Sequence, residues 1–154
     1  MTRLLSAALM AVAAVVSLGA ALPASAQFAK PEDAIKYRQA AMTMMNTHVG
    51  RLFGMANGRI PYDAKVAVDN ADIAAAVSKW QFAGFVEGSD LGETRALPKI
   101  WSELDKFKAA AAKSNEDIAK LNVAARAGSL DALKAAVGEV GKSCKACHDA
   151  YRKE

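Results

Sequence analysis

The residues able to do chemistry crowd one end of the chain, in Cys144-Lys145-Ala146-Cys147-His148. The 154 residues include two cysteines and two histidines, and this string takes both cysteines and one histidine. Thiols three residues apart can close a disulfide, cycle as a redox pair or supply half of a zinc site. With histidine next, they match the C-x-x-C-H pattern of covalent haem attachment. There two thiols bond the vinyl groups and the adjacent imidazole reaches the iron as an axial ligand. Zinc wants four ligands, and His48 is the one remaining nitrogen donor. A thioredoxin-type pair belongs to a βαβ setting. A plain disulfide leaves His148 without a role. Covalent haem uses all three side chains.

That chemistry needs the three side chains to point the same way. On a helix, positions i, i+3 and i+4 share a face, so a helix through Cys144, Cys147 and His148 would present them together. The surrounding sequence supports one. It is rich in Ala, Lys, Leu and Glu, and strand alternation is absent. Four helical segments are expected, at about 31–56, 61–85, 98–126 and 129–152. Pro31, Glu32 and Asp33 suit a helix start, and Asn57-Gly58 an end. Ile35, Gln39, Met42, Met45, Val49, Leu52 and Phe53 fall near a helical stripe on the first, and an apolar side is expected on each of the others. Val66, Ile73, Val77, Trp80 and Phe82 are expected to form it on the second. Ile100, Trp101, Leu104, Phe107, Ile118, Leu121 and Val123 form it on the third. Residues 87–94 form the one long turn-rich loop, and Ser129 is a plausible N-cap of the fourth helix. Long amphipathic helices with short connections predict an all-α, antiparallel, up-down-up-down four-helix bundle.

The first 26 residues read as a cleaved secretory signal. Arg3 is followed by an uncharged run from Leu4 to Leu22, and Ala24-Ser25-Ala26 is a cleavage site of the A-x-A kind. Residues 27–154 then form one domain, exported to the periplasm and not inserted in a membrane. They keep all but one of the 20 Lys and Arg residues against all 16 Asp and Glu. A mild surplus without a long basic run excludes a nucleic-acid footprint.

A C-terminal C-x-x-C-H on the last helix of such a bundle resembles the cytochrome c′ family of class II c-type cytochromes. The likeness spans the whole of 27–154 and is carried by Pro-Glu-Asp-Ala-Ile-Lys-Tyr-Arg-Gln at 31–39, Pro-Tyr-Asp at 61–63, Ile-Trp at 100–101 and Cys-Lys-Ala-Cys-His-Asp-Ala-Tyr-Arg at 144–152. It implies one covalent haem c per chain, held by Cys144 and Cys147, with His148 as proximal iron ligand. It implies high-spin, five-coordinate iron, electron transfer with a partner that the sequence does not name, and binding of NO or CO. The pocket residues include no general-base constellation, so no enzymatic turnover is expected. Arg38 and Gln39 would meet the haem propionates. Thr94 and Arg95 fall where the family contacts the haem edge, although many relatives carry an acidic residue where Arg95 stands. Arg152 would shape the proximal pocket.

On the distal side, the resemblance places Met42 in the pocket as an apolar plug, with Met45, Phe82 and Phe85 completing the lining. The alternative is a low-spin electron carrier resembling cytochrome c-556, with His148 and Met42 both on the iron. His48, six residues beyond Met42 and off its direction, reads as a surface histidine. Homodimers through the first two helices are common in the family, and Leu52, Phe53 and Met55 are apolar candidates for that contact.

Overall fold

The computed structural model describes residues 27–154, so the expected signal segment, 1–26, lies outside the described residues. The described chain is all-α: α1 (Pro31–Ala56), α2 (Ala64–Ser78), α3 (Lys99–Ser102), α4 (Leu104–Arg126) and α5 (Leu130–Tyr151). The four long helices form a ring, in which α1 packs on α2 and α5, and α4 packs on the same two. Short links join α1 to α2 and α4 to α5, so these pairs run antiparallel, and the expected four-helix bundle is observed.

Helix boundaries follow local chemistry. Pro31 opens α1, where its missing N–H is no loss, and Glu32 and Asp33 face the positive helix end. Asp63 caps α2 by accepting from Val66 N at 2.9 Å, and Ser129 caps α5 by accepting from Ala132 N at 3.3 Å. Gly128, at φ 68°, makes the left-handed turn between α4 and α5.

Two boundaries differ from the pattern. The second helix ends at Ser78 rather than near Phe85, and 79–84 are turns. The turns that follow are held on α1, where the Arg38 guanidinium donates to Gly84 O at 2.8 Å. The third segment starts at Pro98 as expected but breaks at Glu103 (φ −123°, ψ 41°) into α3 and α4. The break lets Ile100 turn fully inward and lets the Trp101 indole donate to Val86 O at 3.0 Å.

The expected apolar face of α2 is also corrected. Val66, Ile73 and Trp80 are exposed, while Ala67, Ala71, Ala74 and Val77 are buried. Small residues let α1 and α4 come close, and the larger ones are left outside. Val123 and Leu104 are likewise exposed, so Phe107, Ile118 and Leu121 carry the inner side of α4. Leu52 and Met55 are buried within the chain and Phe53 packs against the core, so these three do not form an outer contact face.

The core has two parts. The main cluster runs along the bundle from Val49 and Leu52 to Leu121, Leu133 and Val140, and Cys144 packs against it. A smaller, aromatic cluster gathers Ile100, Phe107 and Tyr151 with Phe82, Phe85, Trp101 and Cys147. Full burial of a side chain such as Leu52 contributes about 1.5–3 kcal/mol. The two cysteines therefore sit where the clusters meet.

Candidate haem-binding site

Between the clusters lies a cavity of about 510 Å³, within the usual size range of cofactor pockets. One wall is α5. Its helical spacing puts Cys144, Cys147, His148, Tyr151 and Arg152 on the lining, as the sequence pattern requires. Across from them stand Met42, Met45, Val49 and Phe53 of α1, with Phe82 and Phe85 after α2 and Phe107 of α4. Both cysteines are free thiols and half-buried. Burial pushes each thiol's pKa up; a hydrogen bond from Ser114 works against this at Cys144. Burial, then the charge of Arg152, pushes the His148 pKa down. A neutral imidazole is the form that binds a metal.

The chain end is fixed rather than frayed. Leu97 N donates to Tyr151 O at 2.9 Å, and Lys153 N donates to Arg95 O at 2.8 Å. Arg95 adds bonds from Nε and Nη2 to Lys153 O at 2.9 and 2.6 Å. These contacts clamp the last turn of α5, which carries His148. Arg95 and Arg152 line the cavity, and Arg95 also serves as a clip on the terminal strand of backbone.

Arg38 is 3% exposed and sits beneath the 84–94 loop. Nη1 donates to Gly84 O at 2.8 Å and Ser89 Oγ at 2.7 Å; Nη2 donates to Ser89 O at 2.6 Å and Thr94 Oγ1 at 2.8 Å. The guanidinium also lies 4.5 Å from the Phe85 ring centre. Burial pushes its pKa down to about 10, with Asp90's charge working against this, so it remains cationic at neutral pH. All four terminal N–H groups are used within the protein, which leaves the Nε–H as the remaining guanidinium donor. Thr94 Oγ1 accepts from Arg38 and from Ala96 N at 3.1 Å, leaving its own O–H to donate. Gln39 donates to Glu93 O at 2.8 Å and stands at the exposed rim.

His48 lies outside the cavity lining. It is half-buried, not fully at the surface, with Nδ1 at 2.9 Å from Asn70 Oδ1. Gln81, Ser89 and Tyr151 were not singled out by the sequence pattern. Polar Gln81 and Ser89 sit in turns without periodicity, and nothing local marks them as buried. Tyr151 follows the C-x-x-C-H string at helical spacing, which was a usable signal.

Haem suits this site. The lining is largely apolar, both thiols and the imidazole share one wall, and three arginines line the cavity with no carboxylate among the lining residues. A group with an apolar ring and two carboxylates meets both requirements.

Fold and site together define a helical-bundle haem protein with a C-terminal attachment helix. The sequence profile of the family described as Cytochrome C′ matches residues 33–152, and the chain belongs to that family. The family carries covalently attached haem c. The chain is 48% identical over 128 residues to cytochrome c′ of Alcaligenes xylosoxydans xylosoxydans, covering 83% of this chain and 99% of the relative. The crystal structure of cytochrome c′ from Rubrivivax gelatinosus is 45% identical and superposes with a TM-score of 0.80, covering 82% of this chain and all of that one. A nitric oxide complex of a cytochrome c prime variant from Alcaligenes xylosoxidans is 48% identical with a TM-score of 0.78, covering 82% of this chain and 98% of that one.

Proposed function

We propose that this chain is a periplasmic haem c protein that transfers electrons and binds small gases such as nitric oxide and carbon monoxide. Cys144 and Cys147 supply the thioether bonds, and His148 is the proximal ligand. The observation that carries this reading is the shared wall: two half-buried thiols and a half-buried imidazole line one cavity of about 510 Å³. When bound, the group supplies an iron that changes oxidation state and has room for a further ligand.

The chain's own residues set the conditions. Clamping of 151–153 by 95–97 holds the His148 end of α5 in place. Arg38 shapes the loop that presents Thr94, and Thr94 O–H, Gln39 and Arg95 offer donors to propionates. Met42, Met45 and Phe82 crowd the opposite side with apolar surface, which disfavours charged ligands through their desolvation cost. No residue is assigned a catalytic role, so the reading includes no turnover. Among the described residues no helix is long and apolar enough to cross a membrane. Export rests on the expected signal at 1–26. Homodimerisation through α1 and α2 completes the reading.

Met42 is assigned as an apolar plug, so ferric iron is expected to be high-spin. Intact mass of the periplasmic protein should rise by one haem over the apo-chain, and EPR should show a high-spin ferric signal that survives Met42→Leu. A mass without haem sinks the reading. A low-spin signal that Met42→Leu converts to high-spin instead establishes Met42 as the second ligand.

A further inference from the structure

Haem attachment leaves one buried charge without a task. Asp117 of α4 is 3% exposed. Its Oδ1 accepts from Lys113, one turn earlier, and its Oδ2 has no partner among the described residues. Burying a carboxylate with one oxygen unpaired is unfavourable, so its presence calls for a reason. A bound cation is a poor one, because Lys113 and Lys120 already bring positive charge to the groove beside it.

Its place in the bundle says more. Asp117 sits where α4 faces α5 at the level of the attachment motif. Ser114, one turn before it, hydrogen-bonds the Cys144 thiol, and Ser143, next to Cys144, lies against Asp117 itself. Ser114 and Ile118, on either side of it in sequence, line the cavity, whereas Asp117 does not. It therefore stands behind the wall to which the haem would be joined. Burial pushes its pKa up, but polar neighbours led by Lys113 bring it below the usual value, so the group is an anion at neutral pH. That charge is felt at the motif, where it helps push the Cys144 thiol's pKa up.

A fixed charge beside a redox centre favours one oxidation state. Taking up one electron lowers the net charge of a ferric site by one, and a nearby carboxylate opposes this. Lys113 cancels the effect only in part. Its side chain is 55% exposed, so water screens the ammonium more than the carboxylate.

We propose that Asp117 sets the reduction potential of the site: its buried carboxylate, behind the Cys144 attachment point, stabilises the ferric state and holds the midpoint down. This proposal rests on the haem-protein reading above.

The test is a spectroelectrochemical titration of the haem-loaded protein. Haem content by mass is measured first, so that failure of the haem reading is seen separately. Asp117→Asn keeps the shape and removes the charge. At a fixed potential its ferrous-to-ferric ratio should exceed wild type roughly three- to tenfold, the size of a partly cancelled unit charge at an effective dielectric constant of about 20. That is a rise of about 30–60 mV in midpoint, at about 59 mV per tenfold for one electron. Lys113→Gln removes the partial cancellation and should lower the midpoint, measured on the alkaline side of neutrality so that the carboxyl stays ionised. Opposite shifts with unchanged ferric spectra identify a charge effect, and a merely structural aspartate would move neither midpoint. An Asp117→Asn midpoint at or below wild type overturns the proposal. So does a shift that comes with a changed ferric spectrum, which reports a rearranged ligand set. If Asp117→Asn fails to fold, Lys113→Gln decides alone, and a midpoint at or above wild type overturns the proposal.

Discussion

At the level of single residues, the site divides into groups that hold the cofactor and groups that hold the holders. Arg38 belongs to the second kind. Its four terminal N–H groups tie Gly84, Ser89 and Thr94 to α1, and its plane packs on Phe85. The resemblance to cytochrome c′ placed this arginine at the site but not its partners, because Gly84 and Ser89 lie 46 and 51 residues away. Charged donors to buried acceptors are worth about 1.5–3 kcal/mol each, and bonds sharing one guanidinium are not additive. Arg38→Gln should therefore destabilise the protein by roughly 3 kcal/mol. Urea unfolding followed by circular dichroism measures this, and a loss under 1 kcal/mol would show that the loop stands without the guanidinium. Haem should still attach in this variant, since Cys144, Cys147 and His148 sit on a different element.

At the level of elements, the bundle depends on how closely backbones approach. A Cβ built at Gly84 would fall 2.4 Å from Ala34 O, a backbone atom that cannot swing aside. Gly84→Ala should push the 79–84 turns off α1 and cost about 1–3 kcal/mol. A Cβ at Gly138, on the exposed side of α5, meets nothing within 4 Å. Gly138→Ala should gain about 0.5–1 kcal/mol through helix propensity. The two variants have the same chemistry and opposite expected signs in thermal unfolding, so equal shifts would refute the packing account. The same contrast explains what the sequence made legible. Helix starts at Pro31, Asp63 and Ser129 are local chemistry and were readable from neighbouring residues. So was the C-x-x-C-H face, which needs one helical turn. The early end of α2 was not, because the turns after it are held by Arg38, 46 residues away from Gly84 in sequence. The alanine face of α2 was hidden too, since hydrophobic size misleads where close approach selects small side chains.

For the molecule as a whole, the question is which surface remains for a second copy. The residues that the sequence offered, Leu52, Phe53 and Met55, are used inside the chain. The structure offers another set. Met44, His48 and Arg51 follow one another at helical spacing on α1, and Val66, Asn70 and Ile73 do so on α2. Asn70 Oδ1 meets both His48 Nδ1 at 2.9 Å and Arg51 Nη1 at 3.4 Å, which joins the stripes into one face. Met44, Val66 and Ile73 are exposed at 47%, 40% and 39%. Apolar side chains flanking a fixed polar centre suit a two-fold contact, in which each patch meets its own copy. Two exposed glutamates per subunit, from Val66→Glu and Ile73→Glu, would bring four like charges together at such a contact. The wild-type protein should sediment as a dimer and the double variant as a monomer at the same concentration. Its haem spectrum should not change, because neither residue lines the cavity. A double variant that still sediments as a dimer places the contact elsewhere, and a monomeric wild type removes the dimer altogether.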